Sequence, residues 1–434
     1  MKKTLLLSLS LTSVAISAQH FCGYDHKKAE LEAQFPEIKQ ERENAEMQLQ
    51  LMGGAANQLK AMGIKPTGNS LMATSQKIYE IPVVVHIIES KNSKDATSKL
   101  HLTDEQIQQW IENANKMYAT TYGGQYYPEG TGIEGGTVIP VKLVLAKRSP
   151  NCEATNGIVR HDASSLEGYN DHGVRSSNAT GATEAQVVAF APQWDTKAYY
   201  NMYIVDSFDG NTAGWGLMGY AYYPMSSKYY TFMKASVVTK PNDSTLAHEF
   251  AHSMGLDHVF QGANSNGGEC PPSTGDETVD NDKVADTEPI QSLLSVNPTP
   301  GNDVINPCTN RNYEGGQYNI MNYTFTEKKF TPGQRDRALA LFLQYRSSLV
   351  NNSLALTEPG TPIETAEATC NPKDIANKGY YRMGPINVSL GTINNTTGNY
   401  LPGENNFYVD YTQTTCTVSN VFTDIKANEA STVS

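Results

Sequence analysis

The chain has 434 residues, of which 39% are hydrophobic and 18% charged, and carries a formal net charge of −12. That length holds more than one domain and a sizeable core. A pI near 5.3 excludes the basic footprint that nucleic-acid binding requires.

The chain opens "MKKTLLLSLSLTSVAISAQHF". Two lysines, an apolar run and then small residues make the pattern of a secretory signal peptide over residues 1–18, with cleavage after Ala18. A lipoprotein anchor does not fit, because Cys22 follows Gln-His-Phe rather than small residues. No later stretch approaches the ~18 continuous apolar residues of a membrane helix. The mature protein is therefore expected outside the cell with no membrane span, and its six cysteines become candidate disulfide partners.

Residues 19–77 read as a charged helical arm, "DHKKAELEAQFPEIKQERENAEMQLQLM", interrupted at Pro36 and followed by a Gly-, Ser- and Thr-rich tether. The compact domain spans 78–350. It begins with the apolar, β-branched run "IYEIPVVVHII", a buried strand. Thr103 and Gln106 then form a capping-box pair. Ile107, Trp110, Ile111, Ala114, Met117 and Tyr118 recur at the spacing of an amphipathic helix. "TVIPVKLVLA" and "YYNMYIVD" predict further strands, and "GYAYYP" and "ASVVT" shorter ones. A loop-rich stretch over about 260–317 is long enough to suggest function or ligand stabilisation. "FTPGQRDRALALFLQYRSSLV" predicts a last helix with Thr331 as N-cap and Pro332 in its first position. Residues 351–369 form a linker rich in Pro, Thr and Glu, and 370–434 a β-rich tail.

The chemistry concentrates in "HEFAHSMGLDH", His248 to His258. On a helix, His248 and His252 share a face and can bind one metal ion. Gly255 lets the chain leave the helix through a left-handed turn, which swings His258 towards the same ion. Three imidazoles leave the fourth position of a tetrahedral Zn²⁺ open, as in catalytic sites. Zinc lowers the pKa of bound water from about 15.7 towards ~7. Glu249, beside the first ligand, takes the proton as hydroxide attacks and passes it to the leaving amine. That reaction is peptide-bond hydrolysis. A helix of solvent-facing or core histidines would leave Gly255 and His258 without a role.

The pattern HExxHxxGxxH, followed downstream by a methionine in "YNIMNYT" (Met321), resembles the metzincins. Within that clan the chain resembles the pappalysin (cytophagalysin, M43) family, bacterial secreted type. The resemblance rests on "IPVVVHII", "NMYIVD", "GYAYYP", "DKVADTEP", "NIMNY" and "FTPGQ", and on the first "CG" after the signal peptide. It covers roughly residues 78–350. It implies an α+β fold: a metzincin-type catalytic domain with a twisted, mostly parallel mixed sheet, an active-site helix above the cleft, and a loop-rich lower subdomain ending in a C-terminal helix. A small β-rich C-terminal region follows. It implies zinc on His248, His252 and His258, Glu249 as general base and acid, and Met321 as the floor beneath the metal. Tyr323 would stabilise the oxyanion.

The resemblance also implies latency. A thiolate is a strong zinc ligand, and in relatives with a short N-terminal segment a cysteine fills the open zinc position. Cys22, followed by Gly23, stands where that cysteine would be, and cleavage within residues 52–77 by an activating protease would release the enzyme. Cys270 and Cys308 are expected to pair, as are Cys370 and Cys416. Cys22 and Cys152 either pair with each other, or Cys22 binds zinc and Cys152 stays free; the zinc switch is the favoured reading. The resemblance at "DKVADTEP" implies a structural calcium on Asp286 and Thr287, within a loop that also carries Asp276, Glu277, Asp280, Asp282 and Glu288. Some relatives hold a basic residue just after the scissile bond through an aspartate beyond the Met-turn tyrosine. Here Thr326 stands near that place, with Glu327, Lys328 and Lys329 after it, so that preference does not carry over unless Glu327 faces the pocket.

The sequence thus predicts a secreted zinc endopeptidase made as a latent zymogen, acting on protein or peptide substrates. Two alternatives stay open: a secreted binding or adhesion protein with a structural zinc site, and an astacin-like metzincin. Astacin-like enzymes usually place a glutamate after the third histidine; here it is Val259.

Overall fold

The computed structural model describes residues 20–66, 77–120, 136–176, 180–240, 243–272, 282–324, 329–350, 354–359, 387–390 and 393–396. The signal peptide, most of the linker and tail, the pair Cys370 and Cys416, and residues 273–281 and 325–328 lie outside the described residues. These last two stretches include Asp276, Glu277, Asp280, Thr326, Glu327 and Lys328.

In chain order the elements are β1 (His20–Cys22), α1 (Tyr24–Gln34), α2 (Pro36–Leu51), α3 (Ala55–Ala61), β2 (Tyr79–Glu89), α4 (Asp104–Tyr118), β3 (Val141–Leu145), β4 (Ile158–Asp162), α5 (Tyr169–His172) and α6 (Glu184–Phe190). They continue with β5 (Tyr200–Val205), β6 (Gly216–Ala221), β7 (Tyr230–Lys234), α7 (Ala235–Val238), α8 (Thr245–Ser253), β8 (Ile305–Asn306), β9 (Arg311–Asn312), α9 (Pro332–Val350), β10 (Asn387–Leu390) and β11 (Ile393–Thr396). Among the described residues no helix is long and apolar enough to cross a membrane.

The main sheet runs β1-β6-β7-β5-β2-β3, with β4 also on β2. Its central strand is the long apolar run of β2, buried from Ile81 onward. The first half of β2 pairs with β3 and the second half with β4, while β5 takes its other edge, all in parallel. Strand β6 runs antiparallel to β7 and so faces the opposite way from the rest. Residues on a strand that is buried on both faces need no polar alternation, which is why β2 and β5 read as continuous apolar runs. Helices α4 and α8 pack together against the sheet, and the Tyr118 hydroxyl donates to the Ala247 carbonyl at 2.5 Å. Both capping pairs form: Thr103 with Gln106 at α4, and Thr331 with Gln334 at α9.

Three local expectations change. "ASVVT" is the short helix α7, and the strand lies just before it as β7. The alternating "YTFMK" supplies the residues that fit between β5 and β6. The sheet position then overrides the β-propensity of Val237 and Val238. Strand β4 and helix α6 are additional elements. The box that starts α6, Thr183 with Gln186, was readable in the sequence. Finally, the stretch expected as a tether contains α3. Leu59 there is fully buried against α9, a contact worth roughly 1.5–3 kcal/mol that a glycine-rich composition does not announce.

The N-terminal arm is therefore docked along much of its length. Pro36 ends α1 and opens α2 from its first position, where a missing N–H costs nothing. Strand β1 adds to the free edge of β6 in parallel. Glu32 accepts from Arg42 at 2.6 Å within the arm. Across the interface, the guanidinium of Arg337 on α9 donates to both oxygens of Glu46, and Lys283 stands 3.4 Å from the same carboxylate. Burial alone would raise the Glu46 pKa, but Arg337 and Lys283 hold it below the ordinary 4.5. A depressed carboxylate contributes stability that is complete above its unfolded value and is lost as pH falls through its folded value. Glu46→Ala leaves Arg337 buried without its partner, which costs about 3–5 kcal/mol. A thermal melt of the full chain at neutral pH should therefore drop by several degrees. The gap from wild type should close as pH falls below 4.5. An unchanged melting temperature at neutral pH would show that the pair does not hold the arm.

Candidate metal centre and active site

Helix α8 carries His248, Glu249 and His252, all buried. Ser244 is its N-cap residue, and the Asp243 carboxylate accepts from the Thr245 N–H at 2.9 Å. The helix ends at Gly255, whose φ is +96°. A Cβ there would stand 2.6 Å from Leu341 on α9, so the turn needs glycine for both conformation and space. The reversed chain brings His258 back to the helix.

The three Nε2 atoms lie 3.2 Å from one another. Each Nδ1 faces an acceptor: the Ile320 carbonyl at 2.6 Å, the Leu256 carbonyl at 2.7 Å, and Asp25 Oδ2 at 2.8 Å. An N–H on each Nδ1 satisfies those contacts and leaves three Nε2 lone pairs aimed at one point. Burial, then the neighbouring His258, push His248 down to about 3 and His252 well below its ordinary value, so both imidazoles are neutral. Three converging lone pairs with no proton among them repel unless a cation sits between them.

Cys22 Sγ is 3.5 Å from His252 Nε2. Among the described residues, Cys22, His248, His252 and His258 form the group whose ligand atoms all fall within 4.8 Å of one another. A tetrahedral zinc with Zn–N of ~2.0–2.1 Å and Zn–S of ~2.3 Å has N···N edges of about 3.4 Å and N···S edges of about 3.6 Å. The donor set fits zinc. Burial, then the Glu249 carboxylate, raise the Cys22 thiol well above its ordinary value, so a cation is needed to hold it as a thiolate.

Glu249 is fully buried, and burial lifts its pKa to about 8. Its oxygens have no hydrogen bond of normal geometry, although the Cys22 thiol and the Ala221 backbone lie close enough to pull the value down. A dication at the imidazoles would favour the ionised form further. Met321 is fully buried in a turn tied to both sides of the site. The Ile320 carbonyl holds His248, and the Met321 carbonyl accepts from Val259 N–H at 3.2 Å. The Tyr323 ring lies 4.9 Å from that of His258, and its hydroxyl donates to the Cys22 carbonyl at 3.1 Å.

Several contacts were not predicted from sequence. Tyr24 stacks on the His252 ring at 3.7 Å between centroids and donates to Asp257. Asp257 sits between Lys28 and Lys283. Asp25 holds the third histidine. Only their closeness to Cys22 or His258 in sequence hints at these roles.

Cys270 and Cys308 are disulfide-bonded, as expected. Cys22 is the free cysteine among the described residues, while Cys152 is disulfide-bonded. Neither a Cys22–Cys152 bond nor a free Cys152 therefore holds. The calcium expected on Asp286 and Thr287 gains no support. Asp286 accepts from Thr331 Oγ1 and from Gly333 N–H at 2.6 and 2.8 Å, pinning the loop to the start of α9. The Thr287 hydroxyl faces Asp282 and the Val284 carbonyl. Glu288 accepts from the Glu314 and Gly316 N–H groups and from Asn306.

The profile of the peptidase M43 family, described as pregnancy-associated plasma protein-A, matches residues 181–342, which include all three histidines, Glu249, Met321 and Tyr323. Over those residues the chain is similar to the M43 peptidases. Its relatives include an extracellular metalloprotease of Arthroderma benhamiae, 26% identical over 71% of this chain and 87% of the relative. Another is an extracellular metalloprotease of Pyricularia oryzae, 24% identical over 64% and 80%. Among solved structures, a promirolysin mutant of Tannerella forsythia aligns with a TM-score of 0.49 and 21% identity over 74% of this chain and 94% of its own. The chain is a zinc metalloendopeptidase.

Gly255→Ala forces a side chain into both the left-handed turn and Leu341, a strain of order 1–3 kcal/mol placed between the second and third imidazoles. The variant should purify with a reduced zinc content by atomic absorption and a lower melting temperature. Full zinc occupancy in a folded variant would show that the turn does not position His258.

Proposed function

We propose that this chain is a secreted M43 endopeptidase held latent by its own N-terminal arm. His248, His252 and His258 bind the catalytic zinc, and Cys22 closes its fourth position. When bound, zinc supplies Lewis acidity towards water and the scissile carbonyl. Glu249 takes a proton from the attacking water and returns it to the leaving amine. The Tyr323 hydroxyl donates to the oxyanion that develops on the attacked carbonyl.

One observation carries the reading. The Cys22 thiol completes the donor set of the three histidines, while the Cys22 carbonyl occupies the Tyr323 hydroxyl. Arm residues thus sit on the metal side and the oxyanion side of the cleft at once. Strand β1 runs parallel to β6 along the edge where a substrate strand would add. The signal-like N-terminus and the extracellular metalloproteases among the relatives support export. Removal of the arm by a protease acting within residues 52–77 would give the active form, whose substrates are proteins or peptides.

Glu249→Ala in the arm-cleaved protein should keep one zinc per chain and lose about 10²–10⁴-fold in kcat/KM on a peptide substrate. Activity within twofold of wild type would remove Glu249 from the mechanism. Cys22→Ala should make the uncleaved chain hydrolyse the same peptide, where the wild-type uncleaved chain does not. Equal silence of both uncleaved chains, with Cys22→Ala folded and zinc-loaded, would overturn the thiol lock.

A further inference from the structure

Lys27 of the arm is buried, with its side chain 8% exposed. Its ammonium lies 5.2 Å from the Tyr220 ring centroid, 3.9 Å from Glu184 Oε2, and 3.0 Å from Glu30 of the arm itself. Glu184, at the start of α6, is the centre of a polar cluster. It accepts from the hydroxyls of Tyr220, Tyr222 and Tyr230 and from the Lys228 ammonium. Burial would raise its pKa, but Lys228 and then Lys27 keep it lowered, so it is a carboxylate. Beside Lys27 opens a cavity of about 580 Å³ whose walls include Phe208, Asp209, Leu217 and Tyr220.

This cluster is not part of the metal centre. Gly219 turns towards α8, since a Cβ there would meet Glu249. Successive residues of a strand alternate faces, so Tyr220 points away from α8. It stacks on Phe232 and reaches Glu184 on the opposite side of the sheet. Yet Tyr220 follows Gly219, the residue paired with Cys22. The cluster therefore lies one residue along β6 from the point where the arm meets the metal ligands.

We propose that Glu184, the face of Tyr220 and the cavity edge at Asp209 form a substrate subsite for a lysine or arginine side chain, occupied in the latent chain by Lys27. When the arm leaves, it takes Lys27 and Glu30 with it. The Tyr220 ring and one side of the Glu184 carboxylate then face the cleft. A substrate strand on β6 directs alternate side chains to the face away from α8. A basic side chain there regains the cation–π contact and the ion pair, and its long apolar stem lies along Phe208 and Leu217. Because the subsite is on that face, it is separate from any pocket formed beyond the Met-turn. The inference rests on the endopeptidase reading above.

The test uses the zinc-loaded full-length chain, activated by cleavage within residues 52–77, on a peptide library randomised around the scissile bond. At one position within three residues of that bond, Lys or Arg should be preferred over Leu by about tenfold in kcat/KM, the order expected from a partly desolvated cation–π contact. Glu184→Gln should reduce that preference to about twofold or less. Should Glu184→Gln not fold, Asp209→Asn provides the second variant: an asparagine tolerates the φ of 50° at that position, and the same preference should fall. A library that is cleaved without a basic preference at any of these positions overturns the subsite and leaves the endopeptidase reading intact. So does a preference that survives both variants. A library left intact by the arm-cleaved protein overturns both.

Discussion

Three imidazole nitrogens, 3.2 Å apart and with their protons turned outward, are the constraint on which the rest of the structure depends. Nothing in the polypeptide can satisfy them together. Two come from one turn of α8 and need only helical spacing. The third requires the chain to reverse at Gly255, and the outer nitrogens require carbonyls from Ile320 and Leu256 and a carboxylate from Asp25. Leu341 of α9 packs behind Gly255, and Arg337 donates to the Gly255 carbonyl, which holds that reversal in place. A cation between the nitrogens turns a repulsive arrangement into the tightest point of the fold.

The arm packs around the same three nitrogens. It adds a thiol to the donor set, a carboxylate to the third imidazole, an aromatic ring over the second, and a carbonyl to Tyr323. Farther out it exchanges charges with the body in two crossed pairs, Lys28 with Asp257 and Glu46 with Arg337. These contacts distribute the arm's hold over separate anchors. The parallel direction of β1 on β6 also matters. A strand that enters the cleft in the reverse sense to an antiparallel one presents its peptide bonds in the opposite polarity to the catalytic groups.

The grouping of the candidate metal centre was legible in the sequence because it is local: His248, Glu249, His252, Gly255 and His258 lie within eleven residues, and each is placed by helical geometry or by a turn. The buried strands were legible for a similar reason, since β2 and β5 are continuous apolar runs. Helix α7 was misread because Val237 and Val238 carry strand propensity that the exit from β7 overrides. The calcium expectation rests on the resemblance at "DKVADTEP"; in this structure Asp286 bonds to the start of α9, a contact that the sequence pattern does not record. The contacts of Tyr24, Asp25, Glu46 and Glu184 join residues some 36 to 291 positions apart. No periodicity or spacing records such pairs, and they become visible only when the arm is seen lying on the body.

The central claim is that one zinc ion is shared by three histidines of the catalytic domain and the thiol of the arm. X-ray absorption at the zinc edge of the purified uncleaved chain tests it most directly. The account predicts a first shell of three nitrogens at about 2.0–2.1 Å and one sulfur at about 2.3 Å, with the sulfur replaced by oxygen once the arm is cleaved away. A shell of nitrogen and oxygen alone in the uncleaved chain, unchanged by cleavage, would contradict it.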